Sequence, residues 1–87
     1  MIRVLYTKDF LKQAQALPTA QQNKLAKLLE LFAANPYDAR LHTKHLSSPL
    51  VGILSFRVTR DWRVLFRFDS ADAVVCITVK HRKVIYR

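Results

Sequence analysis

At 87 residues, with 51% hydrophobic side chains, one Gly and three Pro, the chain has the composition of one small packed domain spanning 1–87, and not of a disordered or repetitive segment. Fifteen Lys/Arg against six Asp/Glu give a formal net charge of +9, which points to a polyanionic partner, either nucleic acid or an acidic protein. The single Cys excludes an intrachain disulfide. With no signal-peptide region and no apolar run near the ~20 residues of a membrane span, a cytoplasmic protein with no membrane partner is expected.

The first element, residues 2–6 ("IRVLY"), is short and β-branched and predicts a strand. Thr7 then offers a hydroxyl cap, Asp9 suits the first turn of a helix, and Phe10, Leu11, Ala14 and Leu17 recur at helical spacing until Pro18. "TAQQ" at residues 19–22 has the form of a capping box. Leu25, Leu28, Leu29 and Phe32 mark the buried stripe of a second helix, which Asn35 and Pro36 end. The short link between the two predicts an αα-hairpin.

Residues 35–52 have weak periodicity, and a structureless segment of this length in a small domain is often functional. Three strands are then predicted, over 53–59, 62–68 and 73–80. In the second, Trp62, Val64, Phe66 and Phe68 alternate with Arg63, Leu65 and Arg67, giving one apolar and one basic face. The third, "AVVCITV", is apolar at both parities and therefore central. Within it Cys76 reads as a small buried hydrophobe. Residues 84–86 are a candidate for one more short strand. The order β-α-α-β-β-β predicts an α+β fold, an antiparallel meander with the helical hairpin on one face and a basic concavity on the other.

The charge is uneven. Residues 1–39 hold five Lys/Arg and three Asp/Glu, a net +2, whereas residues 40–87 hold ten and three, a net +7, together with all three His. His42 and His45 have no Cys or paired carboxylate at ligand spacing, so no metal site is expected, and one Gly allows no phosphate-binding loop. No small-molecule cofactor is expected either. What remains is chemistry by basic groups. Cleaving RNA through its 2′-hydroxyl takes a base, a cation for the phosphorane and an acid for the leaving 5′-oxygen. His81 is either an acid/base group or a surface histidine at a strand end. Arg63 is either a phosphate clamp or a solvated cross-strand partner. Tyr86 either stacks a base or closes the sheet edge. Trp62 is assigned to the core, and Lys44 and His45 are either loop surface or site.

If Phe68 pairs with Val74 across a five-residue loop, Asp61 falls opposite His81 and Arg63 opposite Val79, all on one face. A four-residue loop breaks that set. His81 and Arg63 should share one sheet face, and either one that points into the helical layer loses its catalytic assignment.

The run "SFRVTRDWRVLFRFDSADAVVCITVKHRKVIYR", preceded by "KHLSSPLVGIL", resembles the RelE/ParE toxin superfamily of toxin–antitoxin modules, and the N-terminal strand and helical hairpin fit as well. The resemblance implies an mRNA endonuclease acting on the ribosome and held inactive by a cognate antitoxin. One catalytic pattern in such toxins matches Arg63, Arg82 and Tyr86. A second, histidine-rich pattern matches His45, Asp61 and His81, with Asp61 orienting a histidine. Lys44, Arg57, Arg60, Arg67, Lys80 and Lys83 would hold the RNA backbone. Lys80 stands where many relatives carry Gly. The ParE branch implies a different activity, inhibition of DNA gyrase, and an inactive domain that binds RNA or antitoxin is a further alternative.

Overall fold

A helix needs its first N–H groups satisfied, and Thr7 does this for the first helix. In the computed structural model, which describes residues 1–85, the Thr7 hydroxyl accepts from the Phe10 N–H at 3.0 Å. Strand β1 (Arg3–Tyr6) therefore passes directly into helix α1 (Lys8–Gln15). Helix α2 (Thr19–Ala34) follows, with Leu25, Leu28 and Phe32 buried.

The capping box expected at residues 19–22 is not formed. Pro18 occupies the cap position, where its missing N–H costs nothing, and makes no side-chain cap bond. The Gln22 amide reaches back instead to the carbonyls of Gln15 and Leu17, at 2.9 and 2.7 Å. It thereby satisfies oxygens that the end of α1 leaves open and ties the two helices together. Asn35 ends α2 in an extended conformation (φ −160°), the geometry that a following proline favours.

The segment after α2 is more ordered than its periodicity suggests. It holds a 3₁₀ turn (Ala39–Leu41) and a two-residue strand, β2 (Lys44–His45). Then come β3 (Leu54–Arg57), β4 (Trp62–Ser70) and β5 (Ala73–His81). The tail is a short helical turn, α3 (Arg82–Ile85), so Val84 and Ile85 do not form the extra strand expected there. The additional strand is β2, and Tyr86 lies outside the described residues.

The sheet order is β1-β5-β4-β3-β2. β1 runs parallel to β5, and every other pair is antiparallel. One sheet face carries Phe56, Val64, Phe66, Val74 and Cys76 into the core, against Phe10, Leu25, Leu28 and Phe32 from the helices. Phe32 is the keystone, with ring centroids 4.8 Å from Phe56 and 4.7 Å from Phe66. β5 is an interior strand, between β1 and β4, as its two-sided apolarity requires, although the middle strand is β4. Among the described residues, no helix is long and apolar enough to cross a membrane.

One irregularity sets the position of the site. Near the turn, Phe68 pairs with Val74 and Phe66 with Cys76; beyond it, Leu65 pairs with Thr78. Ile77 is thus a β-bulge, with no partner on β4. Its carbonyl accepts from the Thr7 hydroxyl at 2.6 Å, so one threonine caps α1 and satisfies the bulge.

Candidate functional site

Strand pairing fixes which side chains share the face away from the phenylalanine core. Arg57 lies opposite Arg63, and Arg63 opposite Lys80, in a row of three cations across β3, β4 and β5. Lys44, opposite Ser55, and Arg67, two positions along β4 from Leu65, have the same parity. Like charges placed directly opposite destabilise a sheet, so this row has a cost that an anionic partner would remove.

Arg63 differs from its neighbours in this row. It is only 9% exposed. Its Nη1 donates to the carbonyls of Thr59 at 2.8 Å and Arg60 at 2.9 Å, with a longer contact to Trp62 at 3.4 Å. The fork that the sequence offered to a phosphate is thus aimed into the β3–β4 turn. The Thr59 hydroxyl also accepts from the N–H groups of Asp61 and Trp62, both at 3.3 Å, which tightens the same turn.

The expected juxtaposition of Asp61, Arg63 and His81 is not formed. Phe68 does pair with Val74, as one of the two registers required, but the strands continue to the pair Ser70 and Ala73 around a tighter turn with Asp69 bulged, and the Ile77 bulge then shifts the ladder by one. Trp62, not Asp61, lies opposite His81, and Lys80, not Val79, lies opposite Arg63. Successive pairs point to opposite faces, so His81 and Arg63 do not share one. His81 sits with Trp62, the two rings meeting edge-on at 5.2 Å and 79°. Its Nδ1 accepts from the Lys83 N–H at 3.2 Å, which leaves the proton of the neutral ring on Nε2. Asp61 turns to Arg82 instead: its carbonyl accepts from the Arg82 N–H at 2.8 Å, and its carboxylate lies 3.5 Å from Arg82 Nε.

A concavity lies beside this face. A groove of about 470 Å³ is lined by Lys44, His45, Leu46, Ser47, Ser48, Pro49, Leu50 and Ile85. It forms where the loop after β2 meets the helical tail, and its volume falls in the range of small-ligand sites. His45 and Lys44 are therefore in the groove wall, and His81 stands four residues before Ile85 at the root of the tail. Arg57, Arg60 and Lys83 are exposed around the site, and Arg67 is exposed with Asp69 at 3.4 Å.

Sequence patterns gave no sign of Leu46 to Leu50 or Ile85 as a common wall, because nothing periodic links residues so far apart. Tyr37 also went unnoticed. Its ring is stacked with His45 at 6.4 Å and with Phe68 at 6.2 Å, tying the loop before β2 to β4. An aromatic directly after Pro36, in a segment flagged as long and structureless, was the available signal.

The chain matches, over residues 4–86, the family described as the ParE toxin of the type II toxin–antitoxin system, parDE. No curated protein matches it. Among solved structures it is similar to YafQ from E. coli strain BL21(DE3), with a TM-score of 0.79, 19% identity and 100% of both chains covered. The YoeB/ParE toxin from Agrobacterium tumefaciens gives a TM-score of 0.78 at 16% identity, covering 93% of this chain and 99% of that one. The archaeal RelE–RelB complex from Pyrococcus horikoshii OT3 gives 0.76 at 21% identity, with 93% and 94% covered. Identities this low show a shared fold. The family match over nearly the whole length goes further, and the chain belongs to the ParE toxin family within the RelE/ParE superfamily, as a toxin of a type II toxin–antitoxin system.

Proposed function

We propose that this toxin is a ribosome-dependent mRNA endonuclease that cleaves through the RNA's own 2′-hydroxyl. The observation that carries the proposal is the groove walled by His45 and Lys44, with Lys44 sharing a sheet face with the Arg57, Arg63 and Lys80 row. Arg57, Lys80 and Lys44, with Arg60, Arg67 and Lys83 around them, hold the phosphate backbone by charge. Arg63 supports the turn beneath them and adds positive potential. A nucleotide seated between the loop and Ile85 presents its 2′-oxygen to the site.

A histidine then takes the 2′-OH proton, and the oxygen attacks the adjacent phosphorus. The bond to the 5′-oxygen breaks, and a second acid protonates that leaving group. The products are a 2′,3′-cyclic phosphate and a 5′-hydroxyl. His45 in the groove wall is the proton-transfer group, and His81, on the sheet face of Trp62 and not of Arg63, shapes the root of the tail. Tyr86, following Ile85, is assigned to base stacking.

The partner that silences the toxin is a cognate antitoxin with an acidic, partly disordered segment that covers the basic face. Support comes from the fold relatives crystallised as the DinJ–YafQ toxin–antitoxin and RelE–RelB complexes. The family description favours a second reading, gyrase inhibition of the ParE kind.

Cell-free translation with mapping of mRNA 5′ ends, beside a gyrase cleavage assay, separates the two. Codon-phased cuts that persist in EDTA and fall ~100-fold or more in His45→Gln support the nuclease. Intact mRNA with trapped gyrase–DNA breaks supports gyrase inhibition. Neither effect, with tight antitoxin binding alone, identifies an inert domain.

A further inference from the structure

We infer that Asp61 is a positioning residue that acts through Arg82 and not through a histidine, latching the helical tail so that Ile85 closes the groove. The inference rests on the groove being the substrate site.

The β4–β5 ladder ends at the pair Trp62 and His81, and one further rung follows, from the Arg82 N–H to the Asp61 carbonyl at 2.8 Å. The Asp61 carboxylate adds the contact to Arg82 Nε at 3.5 Å. The His81 ring holds the next residue through the Lys83 N–H. Three contacts thus fix the start of the tail, and one helical turn later Ile85 stands in the groove wall against the Leu46–Leu50 segment.

The post that carries Asp61 is itself anchored. Arg63, nearly buried, bonds the Thr59 and Arg60 carbonyls from inside the turn, and the Thr59 hydroxyl accepts from Asp61 N–H. A carboxylate on a loose turn would not define where the tail lies, whereas one on a braced turn does. A continuous chain of contacts therefore runs from Arg63 through the turn to Asp61, Arg82 and Ile85. The ring of His81 has its own constraints, Trp62 and Lys83, and does not need Asp61 for its orientation.

Magnitude separates this role from proton transfer. The side chains of Arg82 and Asp61 are 40% and 53% exposed, and an exposed ion pair shifts an equilibrium by about two- to fivefold. Loss of a general acid or base lowers kcat by roughly 10²–10⁴-fold.

The test compares Asp61→Asn, Asp61→Glu, and the exchanged pair Asp61→Arg with Arg82→Asp, each in the full chain. Amide hydrogen exchange of residues 83–85 is followed by NMR, and cleavage kinetics are measured on ribosome-bound mRNA. In Asp61→Asn, tail exchange should quicken and KM should rise, each about two- to fivefold, with kcat held; Asp61→Glu and the exchanged pair should recover both. Unchanged tail exchange in Asp61→Asn overturns the latch, as does a kcat loss of ~100-fold that Asp61→Glu does not rescue. If the wild-type protein cuts no RNA, the groove's proposed role fails, and the exchange data alone still support or overturn the latch.

Discussion

Cys76 lies fully buried on the core side of β5, and burial pushes its thiol up to about 12. The folded chain keeps a proton that the unfolded chain releases above ~8.5, so the group favours folding fully below that pH. Its contribution is lost as pH rises towards about 12. At pH 8 a thiol reagent should label the native protein at least roughly tenfold more slowly than the protein in denaturant. Equal rates would show that the β5 core opens freely. Among the candidate residues, orientation was not legible in the sequence. Lys44 and His45 read as either loop surface or site, and the structure places both in a groove wall. Arg63, by contrast, was placed correctly on the polar parity of β4, yet its guanidinium turns back into the preceding turn. Period-2 alternation states which face a side chain leaves from, not what its far end finds.

The elements were legible where hydrophobic period and length agreed. Trp62, Val64, Phe66 and Phe68 alternate, and they form one face of β4; Leu25, Leu28 and Phe32 recur at helical spacing, and they are buried together. Where several periods fit the same residues, the pattern carries no warning of an irregularity. "AVVCITV" is apolar at both parities, so a bulge at Ile77 leaves no mark on it, although the bulge decides that His81 faces Trp62 and Lys80 faces Arg63. The capping-box pattern failed for a different reason, since Pro18 took the position the box assigned to Thr19. The contacts of Phe32 make a stability prediction. Phe32→Ala removes a fully buried ring that touches both Phe56 and Phe66, and should cost about 3–5 kcal/mol in urea unfolding. In a domain this small that is a large share of the usual ~5–15 kcal/mol, so Phe32→Leu is the variant that should stay folded while still losing stability.

Over the whole molecule, the basic face was legible as a charge imbalance between residues 1–39 and 40–87, and the topology gathers that charge by laying β3, β4 and β5 side by side. The groove was not legible, because its walls come from 44–50 and 85 and meet only when the tail turns as a helix. The charged face makes RNA affinity a function of ionic strength. For single-stranded RNA, each phosphate contact contributes about −0.7 to the slope of log K against log[salt]. Replacing Arg57 by Gln should flatten the slope by about that amount and weaken binding of unrelated sequences alike, as measured by fluorescence titration over a salt series. A slope left unchanged would remove Arg57 from the RNA interface.

The parallel pairing of β1 with β5 has a consequence for how the molecule comes into being. β1 precedes every other element described, but among the described residues its partner in the sheet is residues 73–76, on β5, the last strand of the sheet to be made. Until then its backbone has no ladder, and the core face of the sheet lacks one of its interior strands. Long-range pairing of this kind delays cooperative folding until β5 is available. The nascent toxin therefore stays without its assembled groove and cation row until β5 has been made and can pair with β1 and β4.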